Sequence, residues 1–149
     1  MAEVVVVGAA AIDLKATAGA PLVAATSNPG FVTASPGGVG RNISETLARL
    51  GSSVRLVSRV ADDSFGRLVL AETAASGVDV SGVHTDAERT ATYVATLDSD
   101  GSLSVAVSDF AAIDTMTLEH VDELDLSGVA HLVLDANLPG PVLSAALRL

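Results

Sequence analysis

The chain has 149 residues, of which 49% are hydrophobic and only 3% aromatic, and its 18 acidic and 8 basic side chains leave a net charge of −10. A chain of this length holds one domain around one core, built here of Val, Leu, Ile and Ala rather than rings. So few cations disfavour nucleic acid or an anionic membrane surface as a partner, and the absence of cysteine removes disulfides, thiolate metal sites and a thiol nucleophile.

Glu3 to Gly8 contains Val4-Val5-Val6-Val7, a β-branched run of the kind buried on both faces of a parallel sheet. The apolar start through Ile12 is too short to span a bilayer and carries Glu3 where a signal peptide has a positive charge. It reads as the first strand of a soluble, cytoplasmic protein. Asp13 follows the carboxyl end of that strand, where ligands of open α/β sheets bind; a turn-capping role is the equal alternative. Lys15 to Ser35 weakens into Ala, Thr, Ser and Pro with a turn at Ser27-Asn28-Pro29-Gly30, and is expected to be a loop leading to an outlying strand at Phe31–Ala34.

Thr33 to Ser44 is the organising stretch of the chain. Pro36 fixes φ while Gly37, Gly38 and Gly40 open backbone conformations closed to other residues, so this stretch can hinge and let a ligand approach its main chain. Val39, Ile43, Leu47 and Leu50 recur at helical spacing, which predicts a helix that buries this stripe and ends at Gly51. Arg41, Asn42 and Glu45 lie off the stripe, beside the free N–H groups of the first turn.

A strand is expected over Ser53–Ser58, then a helix capped by Asp63 or Ser64 and carrying Leu68, Leu70, Ala71 and Ala75 to a stop at Gly77. Thr92–Leu97 and Leu103–Val107 read as a hairpin around Asp98-Ser99-Asp100-Gly101-Ser102, a flap set into the α/β alternation. That acidic turn lacks the later ligand of a calcium loop. A helix capped by Thr117 should carry Leu118, Val121 and Leu124 inward, followed by a strand at His131–Leu134 and the loop Asp135-Ala136-Asn137. Pro139-Gly140-Pro141 opens a last helix, Val142 to Leu149, whose missing C-cap points to an incomplete chain.

Several chemistries fail on detail. The only lysine is Lys15, which rules out a P-loop, and Ile43 stands where a dinucleotide fingerprint needs its third glycine. His84, His120 and His131 are scattered without metal-ligand spacing, and no Gly-x-Ser-x-Gly turn supports a hydrolase. What remains is Asp13, the Gly37-Gly38 hinge with Asn42, and a β flap. A carboxylate and an amide can accept from and donate to adjacent hydroxyls under a closing flap, which suits a polyhydroxylated ligand.

Ser35-Pro36-Gly37-Gly38-Val39-Gly40-Arg41-Asn42-Ile43, followed by Leu47-Ala48-Arg49-Leu50-Gly51, resembles the first signature of the ribokinase-like (PfkB) carbohydrate and nucleoside kinases. The resemblance runs over essentially all 149 residues. It implies the amino-terminal part of such a kinase domain: an incomplete three-layer, doubly wound α/β sheet with a small β lid from segments about 13–35 and 90–108. It further implies that Asp13 and Asn42 bind substrate hydroxyls and that Gly37 and Gly38 join lid to core. Asp109 and Asn137 are candidates further out, and Arg41 either touches base or phosphate or is a solvated helix charge. Asp62-Asp63-Ser64-Phe65-Gly66 resembles the family's Asp-Asp-x-x-Gly segment.

Ser27-Asn28-Pro29-Gly30, the Gly-Gly-Val-Gly-Arg-Asn form of the signature, and Asp135-Ala136-Asn137 are similar to members that phosphorylate the 5′-hydroxyl of pseudouridine. Ribose, fructose and adenosine are the rival substrates, and a non-catalytic sugar- or nucleoside-binding remnant is the rival from another class. ATP and Mg2+ are implied, with sites mostly outside this chain; exposed flap strands invite a partner strand, which makes a homodimer through the lid an option. Two departures stand out. Ala11 occupies a place where many relatives have asparagine, and the second signature, Asp-Thr-x-Gly-Ala-Gly-Asp, which supplies the anion hole and general base, does not occur.

Overall fold

Val4–Val7 forms strand β1, and its side chains alternate between two cores. In the computed structural model, which describes residues 3–122 and 124–148, Val4 and Val6 pack with Val54, Leu56, Val60 and Val69. Val5 and Val7 pack on the opposite face with Val57, Ile113, Val121 and Val142. Helices α1 (Val39–Arg49) and α2 (Ser64–Ala75) cover the first face. The second is covered by α3 (Ala111–Asp114), α4 (Glu119–Asp122) and α5 (Gly140–Ala146).

β1 lies parallel between β4 (Val54–Arg59) and β8 (His131–Leu134), and β5 (Asp79–His84) adds parallel outside β4, so the strand order is β5-β4-β1-β8. The expected three-layer α/β arrangement is therefore observed. A second sheet has the order β3-β2-β6-β7, from β2 (Ala11–Ala18), β3 (Gly30–Gly37), β6 (Thr92–Leu97) and β7 (Leu103–Asp109). β2 runs antiparallel to β3 but parallel to β6, and β6 turns back into β7 through Gly101 at φ 84°. Cross-strand register places Ser35, Asp13, Tyr93 and Ser108 in one row on one face. Val32, Val94, Val105 and Val107 lie on the other face and are exposed.

The structure corrects several expectations. Asp13 sits within β2 rather than in a turn, and the stretch expected as a loop from Lys15 begins inside that strand. The small and polar residues of Ala11–Ala18 hide its alternation. β5 and α3 went unexpected: Asp79, Ser81, Gly82 and His84 break the apolar run of an edge strand, and α3 is a single turn. The helix after Thr117 reduces to α4, with Val121 buried but Leu118 42% exposed. The last helix starts at Gly140 and ends at Ala146; Leu149 lies outside the described residues.

Helix faces also differ. On α1 the buried residues are Gly40, Arg41 and Ser44, whereas Val39 and Leu50 are exposed. On α2 they are Gly66, Val69 and Thr73, with Leu68 and Leu70 only partly covered and Ala71 and Ala75 exposed. Both helices approach their neighbours through small residues, and close backbone approach rotates the apolar stripe away from the centre of the contact.

Asp63 caps α2 as expected, accepting from Gly66 N–H at 2.7 Å, and also accepts from Thr90 N–H at 2.9 Å and Thr90 Oγ1–H at 2.8 Å. It thereby ties the start of α2 to the chain entering β6. Burial raises its pKa, but the hydrogen bonds from Gly66 and Thr90 outweigh this and hold it below the ordinary carboxylate value. A depressed folded pKa means that the unfolded chain takes up the proton first, so this stability is present above about pH 4 and is lost as pH falls through the folded pKa. Urea unfolding at a series of acidic pH values should show a steep fall in stability for the wild type and a shallower one for Asp63→Asn; equal slopes would remove Asp63 from the acid transition. Asp63→Ala should cost about 1 kcal/mol or more at neutral pH through the lost cap.

Candidate functional site

The site is built where β1 ends and α1 begins. Gly38 caps α1 at φ 92°, a conformation that L side chains rarely adopt, and a Cβ there would lie 2.5 Å from the Ala9 carbonyl oxygen. Two residues on, a Cβ at Gly40 would lie 2.7 Å from the Gly8 Cα. The missing side chains let the helix start rest directly on the strand end, where Arg41 N–H donates to the Ala9 carbonyl at 3.0 Å. From the other side Asp135, only 3% exposed, accepts from Ala9 N–H at 3.1 Å and from both Asn137 N–H and Asn137 Nδ2–H at 2.9 and 2.8 Å.

These elements surround a cavity of about 440 Å³. Asp13, Tyr93 and Ser108 reach it from the second sheet, Gly38, Val39 and Asn42 from the start of α1, and Ala9 from the end of β1. Phe110, Ile113 and Asp114 come from the α3 side and Asn137 from the loop after β8. The lining groups are two carboxylates, two amides, two hydroxyls and an aromatic and aliphatic wall, with no basic side chain among them. Such a set binds neutral hydroxyls and a flat ring better than a bare anion.

Of the residues expected at a ligand site, Asp13, Gly38, Asn42 and Asn137 therefore line one cavity. Gly37 lies beneath Asp13: a Cβ on it would come within 2.4 Å of Asp13 Oδ2, so a glycine leaves room for that carboxylate. Arg41 differs from both of its expected roles. It does not line the cavity and is only 6% exposed, with Nε donating to Thr73 Oγ1 at 3.1 Å, Nη1 donating to Asn42 Oδ1 at 3.2 Å and an ion pair to Glu45. Asp109 also stays off the cavity wall; it accepts from Arg89 Nε at 2.5 Å and from Ala111 N–H at 3.2 Å, and the Arg89 hydrogen bond holds its pKa low.

Two histidines that look unrelated in sequence meet elsewhere. The His84 and His120 rings stack edge to face at 4.7 Å, and His120 Nε2 lies 3.7 Å from Asp86. Among the described residues no group of three His, Asp or Glu side chains forms a metal-sized site.

The profile of the family described as pfkB family carbohydrate kinase matches residues 1–149, the whole chain. This chain belongs to the pfkB family. Over 119 residues it is 39% identical to a pseudouridine kinase of Escherichia coli (strain K12), covering 79% of this chain and 38% of that protein. A carbohydrate kinase from Agrobacterium tumefaciens superposes with a TM-score of 0.89 at 29% identity, over 99% of this chain and 50% of the other. The ribokinase of Arabidopsis thaliana, solved with ribose and ATP, superposes with a TM-score of 0.83 at 21% identity, over 99% and 49%. The pfkB chain thus has the ribokinase-like fold and spans half or less of the length of these relatives.

The pfkB signature brought out the α1 half of the cavity. Tyr93, Ser108, Phe110 and Asp114 went unmarked, although Tyr93 is the chain's only tyrosine and Phe110 one of three phenylalanines. In a sequence with so few rings, each aromatic beside a flap strand is itself a signal. Asp135 is marked in the sequence only as part of the Asp135-Ala136-Asn137 loop; its burial and its hold on Ala9 and Asn137 follow from the pairing of β8 with β1.

Gly40→Ala tests the strand-to-helix contact. The new methyl would force Gly8 and Gly40 apart, and the expected loss is about 1–3 kcal/mol in urea unfolding with a weakened cavity. A variant as stable as the wild type would show that α1 can slide without cost.

Proposed function

We propose that this chain forms the substrate-binding half of an ATP-dependent kinase that phosphorylates the 5′-hydroxyl of a nucleoside, with pseudouridine as the leading substrate. The observation that carries the reading is the meeting of Asp13, Asn42 and Asn137 on one cavity with Tyr93 and Phe110. The similarity to the Escherichia coli pseudouridine kinase supports the substrate, and the ATP in the Arabidopsis ribokinase supports the phosphoryl donor. Ribose, fructose and adenosine are the competing substrates, and a non-catalytic binding protein is the competing class.

In this reading Asp13 accepts hydrogen bonds from ribose hydroxyls, Asn42 and Asn137 complete the hold, and the aromatic wall receives the base. The second sheet acts as a lid that excludes water from the ribose. Positioning of the 5′-hydroxyl is the chain's own contribution to rate. ATP with Mg2+ would supply the transferred phosphoryl group. The described residues do not form a metal-sized acidic cluster, so no residue here is assigned to either. The general base is assigned to the second signature of the relatives, which this sequence does not contain.

Calorimetric titration of the chain with pseudouridine, ribose, fructose and adenosine tests the substrate. Pseudouridine should bind tightest, and Asp13→Ala should weaken it roughly ten- to a hundredfold, the cost of a charge-assisted hydrogen bond of about 1.5–3 kcal/mol. Unchanged affinity would take Asp13 out of the site. With labelled ATP the 149-residue chain should transfer no phosphate, and turnover would place the general base within it.

The exposed face bearing Val32, Val94, Val105 and Val107 supports a homodimer in which two lids pack face to face. Sedimentation equilibrium should then give a dimer that Val105→Glu dissociates; a wild-type monomer would end this part of the proposal.

A further inference from the structure

Arg41 is buried, belongs to the signature stretch, and yet turns away from the cavity that this stretch helps to form. Its surroundings specify where its charge goes. Thr73 Oγ1 accepts from Nε at 3.1 Å and is itself fixed by donating to the Val69 carbonyl at 2.6 Å, while Glu45 neutralises the guanidinium and is held in turn by Arg49 at 2.5 Å. Thr73 is 1% exposed, so the anchor is part of the α1–α2 packing.

The remaining contact, Nη1 to the Asn42 amide at 3.2 Å, decides the orientation of a cavity-lining group. A guanidinium only donates, so the Asn42 atom that faces it must be Oδ1 and not Nδ2. Asn42 is thereby left with both Nδ2–H donors free of partners among the described residues, and the cation on its oxygen polarises the amide and strengthens those donors. We propose that Arg41 is a positioning residue that fixes Asn42 as a hydrogen-bond donor in the cavity.

Asn137 is the internal counterpart, clamped with the opposite polarity. Its Nδ2 donates to the Asp135 carboxylate at 2.8 Å, which leaves Oδ1 to accept. The cavity therefore offers a fixed donor at Asn42 and acceptors at Asp13 and Asn137. A pair of neighbouring hydroxyls matches this arrangement, one oxygen accepting from Asn42 while the other hydroxyl donates to Asp13. This part of the inference rests on the cavity being the substrate site; the orienting role of Arg41 does not.

The test has a ligand-free arm and a binding arm. In the ligand-free arm, the Asn42 side-chain NH2 resonances are assigned by their loss in Asn42→Ala, and 15N relaxation reports their order. We expect an ordered amide in the wild type and a mobile one in Arg41→Met; an equally ordered amide in the variant overturns the proposal. If Arg41→Met does not fold, Thr73→Val, which removes the acceptor of Arg41 Nε together with that hydroxyl's bond to the Val69 carbonyl within α2, should loosen the same amide, and an unchanged amide there is equally decisive. In the binding arm, Arg41→Met should weaken pseudouridine roughly fivefold in the wild-type background and by less than about twofold in Asn42→Ala. The same loss in both backgrounds would show a merely structural effect and overturn the proposal. If the wild type binds no pseudouridine while the amide behaves as expected, the substrate reading falls and the positioning role stands.

Discussion

The contact between the Gly8 and Gly40 backbones is the constraint on which the rest of the structure depends. A methyl group on either residue would sit within 3 Å of the other's backbone or of Asp135, so neither position tolerates a side chain without displacement. With both absent, the first turn of α1 lies on the end of β1, and the Arg41 N–H reaches the Ala9 carbonyl. Asn42 then arrives beside Asp13, which the chain reaches only four residues after Ala9. Asp135 closes the arrangement from β8 by holding Ala9 N–H and Asn137 together. Two segments far apart in sequence, the start of α1 and the loop after β8, are thus fastened to one strand end.

Around that point the charges are distributed with a clear division. Arg41, the cation nearest the cavity in the signature, is spent on Glu45, Thr73 and Asn42, and Arg89 is spent on Asp109 and Glu88. Asp13 and Asp114 remain on the wall without basic neighbours among the lining residues. A cavity of this polarity favours neutral, hydrogen-bond-donating ligands over phosphates.

Much of the fold is legible along the chain because its strongest signals are local. Val4–Val7 needs no partner to read as a doubly buried strand, Asp63 announces a helix cap, and Asp98–Ser102 announces a hairpin turn. β2 and β5 were illegible for the converse reason. Their residues are small, polar or interrupted, and their strand conformation is imposed by ladders to β3, β6 and β4. The α1 stripe misled because apolar periodicity marks a face that avoids water, whereas α1 is seated by the residues that permit closest approach. Ser44 is fully buried and Val39 is 48% exposed.

The sequence by itself determined the α/β class, the acidic and ring-poor character, the glycine-rich strand-to-helix stretch, and the resemblance to the pfkB family that the whole-chain match establishes. These follow from composition, period and local backbone chemistry. Tertiary structure alone decided which polar groups share a cavity and which way they face. Tyr93, Ser108 and Asp114 join Asp13 through cross-strand register and helix placement, and Arg41 turns away from the cavity because Thr73, thirty-two residues away, supplies its acceptor. A guanidinium goes where its donors are satisfied, and that place exists only once two helices have packed.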